Sequence, residues 1–351
     1  MKLLIVSKLD RSARAIDTIT KYIAVGKTLG HELAVFGEQL SDFPQVPTSL
    51  AVKDFDFVIF VVYDPRDFPD LPYLARLLDG VPKQQRVIID CLGRYNETIR
   101  VEHDFNHLEK LDGHQGWEWI EGFEAVAEKI LQPTHKPLRS NVRPFLFHGF
   151  DPAAVAPGQI RDCKPYGLAY VGNNWQRWSQ VEALLLAIEP LKEQLGPICF
   201  AGWDWGRRPD WAVQMGLHGA DVDTDLMKRL GVETREAVPF HEVTKLQSQA
   251  RFSPVLHRPL LNKLGLVTNR TFATFYSDTI PLLLLPEEIV AAIYGPQGAP
   301  LAPGKEVRER LADMLRRPEF YWDAVLETRR HLAQCHSYQK RFEELTVILE
   351  S

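Results

Sequence analysis

The chain has 351 residues, about twice the ~150 of a typical domain, so two domains are expected and a single small core is excluded. Its composition is 45% hydrophobic and 25% charged, which excludes a disordered, collagen-like or coiled-coil chain. Lys+Arg 41 against Asp+Glu 46 gives a net charge of -5. The surface as a whole therefore repels phosphate polymers, and a dedicated DNA binder is disfavoured.

In chain order, Leu3–Val6 is a continuous apolar run expected of a strand buried on both faces, followed by helical spacing over Ala15–Leu29 and a stop at Gly30. His31–Gly37 reads as the next strand, then Asp56–Tyr63, ending at Asp64-Pro65, and Gln85–Ile89, ending at Asp90-Cys91-Leu92-Gly93. A helix around Tyr73–Leu78 lies between the last two. Proline punctuation over residues 132–152 marks a hinge. A second series follows: strands Gly167–Gly172, Pro197–Gly202, Val238–Phe240, Phe252–Leu256 and Ile280–Leu285, with helices over Ser179–Leu191 and Thr271–Tyr276. Helices from Lys305 to Leu315 and from Phe320 onward close the chain. Alternating strands and helices predict parallel α/β sheets with right-handed crossovers, which bind ligands at the carboxyl ends of their strands.

Cys91, Cys163, Cys199 and Cys335 form no CxxC pair, so zinc-ribbon and dithiol readings fail. The N-terminal apolar run is shorter than the ~7–15 residues of a signal-peptide core, and no run approaches the ~18 of a membrane span. A cytoplasmic protein without a transmembrane segment is expected. A periplasmic-type two-domain sensor would need a secretion signal. Gly172 and Gly202 make neither a GxGxxG nor a Walker loop, so dinucleotide oxidoreductase and P-loop readings lack their fingerprint.

Four segments in order carry a resemblance. Phe145–Pro152 is an apolar run that reads as a short strand closing in His148-Gly149-Phe150-Asp151-Pro152; Tyr170-Val171-Gly172-Asn173-Asn174 is a strand with a glycine loop. Thr268-Asn269-Arg270-Thr271-Phe272 leads into Ser277–Leu283, and His336–Phe342 opens a last helix. Together they resemble the GT-B glycosyltransferases, and His336-Ser337-Tyr338 with Arg341 resembles the CgeB-like branch. The helix-to-strand segment is also similar to that of the phage DNA β-glucosyltransferases.

The resemblance implies two Rossmann-like domains facing a cleft: 1–148 on the acceptor side, 149–333 for the donor, and a helix at about 334–351 packing back on the first. It implies metal-independent transfer of a sugar from a UDP-, GDP- or TDP-linked donor, with no separate cofactor and with inverting or retaining stereochemistry open. The acceptor hydroxyl or amine would belong to a glycan, a small metabolite or a protein, with nucleic acid last because of the negative charge. Family members usually carry a ribose-gripping glutamate where this chain has Ala273. That departure motivates the alternative of a non-catalytic nucleotide- or glycan-binding protein on the same fold.

Stabilising a departing diphosphate calls for positive potential, so Arg270, just before a predicted helix, leads the donor candidates, with an ordinary surface ion pair as its alternative. Thr268 and Thr271 flank it. Gly172, Asn173 and Asn174 let backbone approach a phosphate or sugar, or form only a strand-to-helix turn. Arg177 and Arg258 are further diphosphate candidates or solvated surface. Trp203, at a strand end, is a stacking candidate, with core packing as the commoner tryptophan role; Trp117 and Trp119 are weaker ones. Asp90, ending an apolar strand, is the candidate general base, and the matching acidic position serves so in the phage enzymes; its alternative is a turn or cap. Asp10, Asp64 and His103 are rivals. His103 and His107, with Asp104 and His114, have helix-face spacing but no third ligand, so a polar loop is the expectation and no metal is predicted.

Overall fold

The computed structural model describes residues 1–7, 15–41, 43–63, 67–96, 116–155, 164–175, 177–208, 210–214 and 222–351. Asp10, Asp64, His103, Asp104, His107, His114 and Cys163 lie outside the described residues, as do the side chains of Trp117 and Trp119.

The first sheet comprises β1 (Lys2–Val6), β2 (Glu32–Phe36), β3 (Thr48–Ser49), β4 (Phe57–Val62), β5 (Arg86–Asp90), β6 (Lys129–Gln132) and β7 (Val142–Pro144), in the order β3-β2-β1-β4-β5-β6-β7. The second comprises β8 (Tyr166–Val171), β9 (Ile198–Ala201), β10 (Val232–Arg235), β11 (Ala250–Leu256) and β12 (Ile280–Leu284), in the order β10-β9-β8-β11-β12. Every pairing within them is parallel. In both, the first strand is central and the order reverses beside it, which opens a crevice at the carboxyl ends of β1/β4 and of β8/β11.

Burial on both faces explains the apolar runs. Leu3 and Ile5 enter one core with Ile19, Tyr22 and Val35, whereas Leu4 and Val6 enter another with Phe60, Ile88 and Phe123. β8 alternates likewise, Leu168 and Tyr170 on one side, Ala169 and Val171 on the other. Gly30 takes φ +80° just beyond helix Ile16–Thr28, the left-handed turn its sequence position predicts.

Three readings are corrected. Val238–Phe240 is not a strand: the strand there is β10, whose Glu233, Thr234 and Arg235 are exposed, while Phe240 begins a short 3-10 turn. Residues 145–149 form no strand; only Phe150 pairs, in an isolated parallel bridge with Ser337. The terminal helical region is two helices, Pro318–Cys335 and Tyr338–Glu350.

The chain passes between the sheets at 145–150 and returns at 335–338. These crossings are tied together, Phe150 N donating to His336 O (2.8 Å) and Tyr338 N to Phe150 O (3.3 Å). Helix Tyr338–Glu350 then places Tyr338, Phe342, Leu345 and Leu349 in the core of the first sheet. A second junction joins Val267 N to Pro133 O (2.7 Å) and Thr134 Oγ1 to Leu264 O (3.2 Å). There Leu92 packs against Leu260, Leu261, Leu264 and Leu266. Among the described residues no helix is long and apolar enough to cross a membrane.

Candidate active site

The candidate residues gather where β8, β9 and β11 end. Gly172 follows β8 and Gly202 follows β9, and their backbones touch. A Cβ on Gly202 (φ +149°) would lie 2.2 Å from Gly172 O, and one on Gly172 would lie 2.6 Å from Arg270 Nη2. Only glycine permits either approach. The two loops are then laced together: Trp203 N donates to Asn173 Oδ1 (3.1 Å), Asn174 N to Trp203 O (3.0 Å), Asn174 Nδ2 to Asp204 O (3.1 Å) and Trp205 Nε1 to Gly172 O (2.8 Å). Trp205 is buried, whereas Trp203 is 47% exposed, 5.6 Å from the ring of Trp175. Trp175 is itself held by its Nε1–H to Asp204 Oδ2 (2.6 Å). Asp204 sits at φ +66°, a conformation an aspartate adopts at a cost of order 1 kcal/mol. Rigid backbone thus presents an indole face to solvent.

Arg270 lies inside the one-turn helix Asn269–Ala273 rather than before it, so its guanidinium and not a helix dipole supplies positive potential. That guanidinium crosses to donate to Val171 O and lies over the Tyr170 ring, 5.0 Å from its centroid. No carboxylate among the described residues pairs with it. Arg177 starts helix Trp178–Ile188 and donates from Nη1 to Asn173 O and Trp175 O, both 3.2 Å. Thr268 and Thr271 form a capping box at the start of the Arg270 helix. Arg258 begins helix Pro259–Lys263, directly after β11 and His257. Gly172, Asn173, Asn174, Arg177, Trp203, Thr268, Arg270 and Thr271 therefore form one connected cluster. Ala273 closes the Arg270 helix, half-buried.

His257 was not singled out from the sequence. It is 2% exposed, with Nε2 3.1 Å from Thr268 Oγ1 and 3.2 Å from Thr271 Oγ1. Burial, with Arg270 and Arg177 adding repulsion, pushes its pKa down to about 3, so the imidazole is neutral. Its position just past an apolar strand was the available signal, but the threonines that hold it stand 11 and 14 residues on.

Asp90 stands apart, on the first sheet. It is fully buried, and its carboxylate accepts from Arg94 N (2.9 Å), Tyr95 N (2.8 Å) and Gln132 Nε2 (2.8 Å). Burial raises its pKa while the three donors draw it back. This is the geometry of a carboxylate fixing a turn: three of its four lone-pair sites are occupied and it is buried from solvent. The turn it fixes contains Gly93 (φ +69°), where a Cβ would lie 2.6 Å from Leu264 Cδ1. At the first sheet's own crevice, His148 bridges Thr18 Oγ1 (2.9 Å, from Nδ1) and Tyr63 OH (3.2 Å, from Nε2), and burial pushes its pKa down to about 3. Lys21 pairs with Asp151 across the hinge at 2.5 Å. Among the described residues no three His, Cys, Asp or Glu side chains gather as metal ligands would.

No family model and no curated protein matches the chain. Solved structures do. An α-glucosyltransferase in complex with UDP and a 13-mer DNA containing a central A:G mismatch is 12% identical with a TM-score of 0.62, covering 100% of this chain and 99% of that one. The DNA-modifying enzyme β-glucosyltransferase, solved with and without uridine diphosphoglucose, is 13% identical with a TM-score of 0.58, covering 100% of both chains. T4 phage BGT in complex with its UDP-glucose substrate is 16% identical with a TM-score of 0.52, covering 98% of this chain and 99% of that one. The likeness spans the whole chain, and the fold is the two-sheet GT-B architecture.

Proposed function

We propose that this protein is a glycosyltransferase that moves a sugar from a nucleoside diphosphate sugar to an acceptor hydroxyl or amine. Residues 149–333 hold the donor and residues 1–148 present the acceptor, with the final helix returning to the first unit. The observation that carries the reading is the placement of Arg270. A guanidinium free of carboxylate partners among the described residues lies across the β8/β11 switch point, beside two loops whose backbones meet through Gly172 and Gly202. Charge develops on the diphosphate as the glycosidic bond breaks, and fixed donors there lower the barrier. Arg177 and Arg258 flank the same place, the Asn173 and Asn174 loop shapes it, and Trp203 offers a face for a base or sugar ring. In this scheme Asp90 holds the 91–96 turn against the 260–266 segment, and an acceptor-side group at the first crevice takes the proton.

UDP-glucose is the first donor to test, because the neighbours were solved with UDP and UDP-glucose. DNA belongs in the acceptor panel beside glycans, small metabolites and proteins. The protein's net charge of -5 places DNA last, while two neighbours were solved with DNA containing an HMU base. One neighbour was solved with UDP and Mn2+, so metal independence is tested by assaying with Mn2+ and with a chelator. The reading expects calorimetric binding of UDP, GDP or TDP and transfer or slow hydrolysis of the matching sugar nucleotide. Arg270→Ala should weaken binding roughly tenfold or more, the loss of at least one charge-assisted hydrogen bond, with the melting temperature little changed. Failure of the wild-type protein to bind any of the three would refute it. Ala273 favours one second reading, a binding protein without turnover: tight nucleotide binding with neither hydrolysis nor transfer would select it.

A further inference from the structure

Two carboxylates stand near Lys21 at the first sheet's crevice, and Lys21 bonds only one of them. Helix Ile16–Thr28 is the next helix after β1, so its first turn stands at the carboxyl end of a central strand. Three contacts mark its side toward the hinge. Thr18 Oγ1 meets His148 Nδ1 (2.9 Å) and Tyr338 OH (3.4 Å), Lys21 Nζ donates to Asp151 Oδ2 (2.5 Å), and Tyr22 OH donates to Phe147 O (3.0 Å). Asp17 lies one turn before Lys21 and so shares that side. Its carboxylate is half-buried, and among the described residues it accepts no hydrogen bond and makes no ion pair. Asp90, by contrast, is fully buried and met by three donors. The same corner reaches the donor unit. Tyr276 ends the 3-10 turn that continues the Arg270 helix. Its hydroxyl accepts from Asp151 N (3.0 Å) and donates to Gly149 O (3.3 Å), and its ring stacks on Phe150 (5.0 Å). Burial first, then Tyr338, Asp17 and Asp151, hold that hydroxyl above its usual pKa, which puts Asp17 within electrostatic range of it. A carboxylate with open lone pairs thus stands on the acceptor unit, against the segment that carries the donor arginine.

Resting on the transferase reading above, we propose that Asp17 is the general base, the acceptor-side group at the first crevice that takes the proton. Its carboxylate removes the proton from the acceptor O–H or N–H as that atom bonds to the anomeric carbon. The bond from that carbon to the diphosphate oxygen breaks, and its electron pair leaves on the diphosphate, beside Arg270. Such a single displacement inverts the anomeric centre. Burial raises the pKa of Asp17, Lys21 draws it back and Asp151 adds to the rise, and a raised carboxyl pKa makes a better base near neutral pH.

The full chain is assayed for transfer or hydrolysis with whichever of the UDP-, GDP- and TDP-sugars the wild type consumes, and calorimetry follows binding of the matching diphosphate. Asp17→Asn should lower kcat about a hundredfold or more while diphosphate affinity stays within about twofold, and Asp17→Glu should recover part of the loss. The pH profile separates chemistry from structure. The acid limb of kcat/KM should move to higher pH in Lys21→Met, which removes the nearby cation, and to lower pH in Asp151→Asn, which removes the nearby anion. Among the described residues Lys21, Asp151, Tyr276 and Tyr338 are the titratable groups around Asp17, with His148 behind Thr18; burial keeps both tyrosines and His148 neutral through that range. An Asp17→Asn rate equal to wild type overturns the proposal, as do acid limbs that stay in place in both charge variants. Should Asp17→Asn not fold, those limbs and the anomeric configuration of the wild-type product, read by NMR, decide: retention overturns the proposal. Nucleotide binding without turnover selects the non-catalytic reading and removes the base while the donor cluster stands. If the wild type binds no nucleotide, the transferase reading itself falls, and this assignment with it.

Discussion

Three buried histidines make this protein acid-sensitive in a range where few other groups titrate. His148, His257 and His336 have pKa values pushed down to about 3, chiefly by burial, with guanidinium repulsion added at His257 and at His336, where Arg341 is the nearby cation. In the unfolded chain each returns to about 6.5. A lowered histidine pKa means that the unfolded state takes up the proton first. Stability from these groups is therefore complete above pH 6.5 and is lost as pH falls from 6.5 towards 3. Between pH 7 and 5.5 each site should cost about 1.2 kcal/mol, and the three together about 4 kcal/mol. The carboxyls of Asp17, Asp90 and Glu344, raised by burial, have the opposite sign: they favour the folded state as pH falls. His31 and His135, whose pKa values burial also lowers, add to the loss in the same direction. Urea midpoints and slopes recorded at half-unit steps would measure the loss, and His148→Gln should reduce it by about 1 kcal/mol, the share of one site. Stability flat across the interval, or a pH slope unaltered by His148→Gln, would refute the reasoning.

Asp90→Asn sets an amide NH2 against at least one of the three donors that now meet the carboxylate, so it should cost about 2–3 kcal/mol of stability; a variant as stable to urea as wild type would return Asp90 to the candidates for the base. Gly202→Ala places a Cβ 2.2 Å from Gly172 O, and should lower both melting temperature and nucleotide affinity. Gly206→Ala, five positions beyond the β9 end in open space, should change neither, and equal behaviour of the two would contradict the account of the loops.

The sequence made the central strands legible because each is apolar on two faces, as Leu3–Val6 and Phe57–Val62 are. Edge strands gave no such signal. In β10 the partners of Glu233 and Arg235 are each other and the Tyr166 hydroxyl, so the strand reads as polar loop, and the apolar Val238-Pro239-Phe240 beside it drew the assignment instead. Residue types pointed to positions that the fold brings together: glycines where backbones touch, an arginine where two strands end. Roles that depend on distant partners were hidden. Asp90 ends an apolar strand, but how its carboxylate is held depends on Gln132, 42 residues away. His257 looks like the start of a loop until Thr268 and Thr271 close around one of its nitrogens.

The return of helix Tyr338–Glu350 to the first sheet has a consequence for biosynthesis. Leu3, Ile5 and Tyr22 share their core with Phe342, Leu345 and Leu349, among the last residues of this chain. During translation the second sheet has all its strands by residue 284. The first, made earlier, keeps an apolar face uncovered until residues 338–350 leave the ribosome. The earlier-made half therefore matures last, and premature termination near residue 335 would release a chain with a finished second sheet and a sticky first one, a substrate for chaperones and proteases.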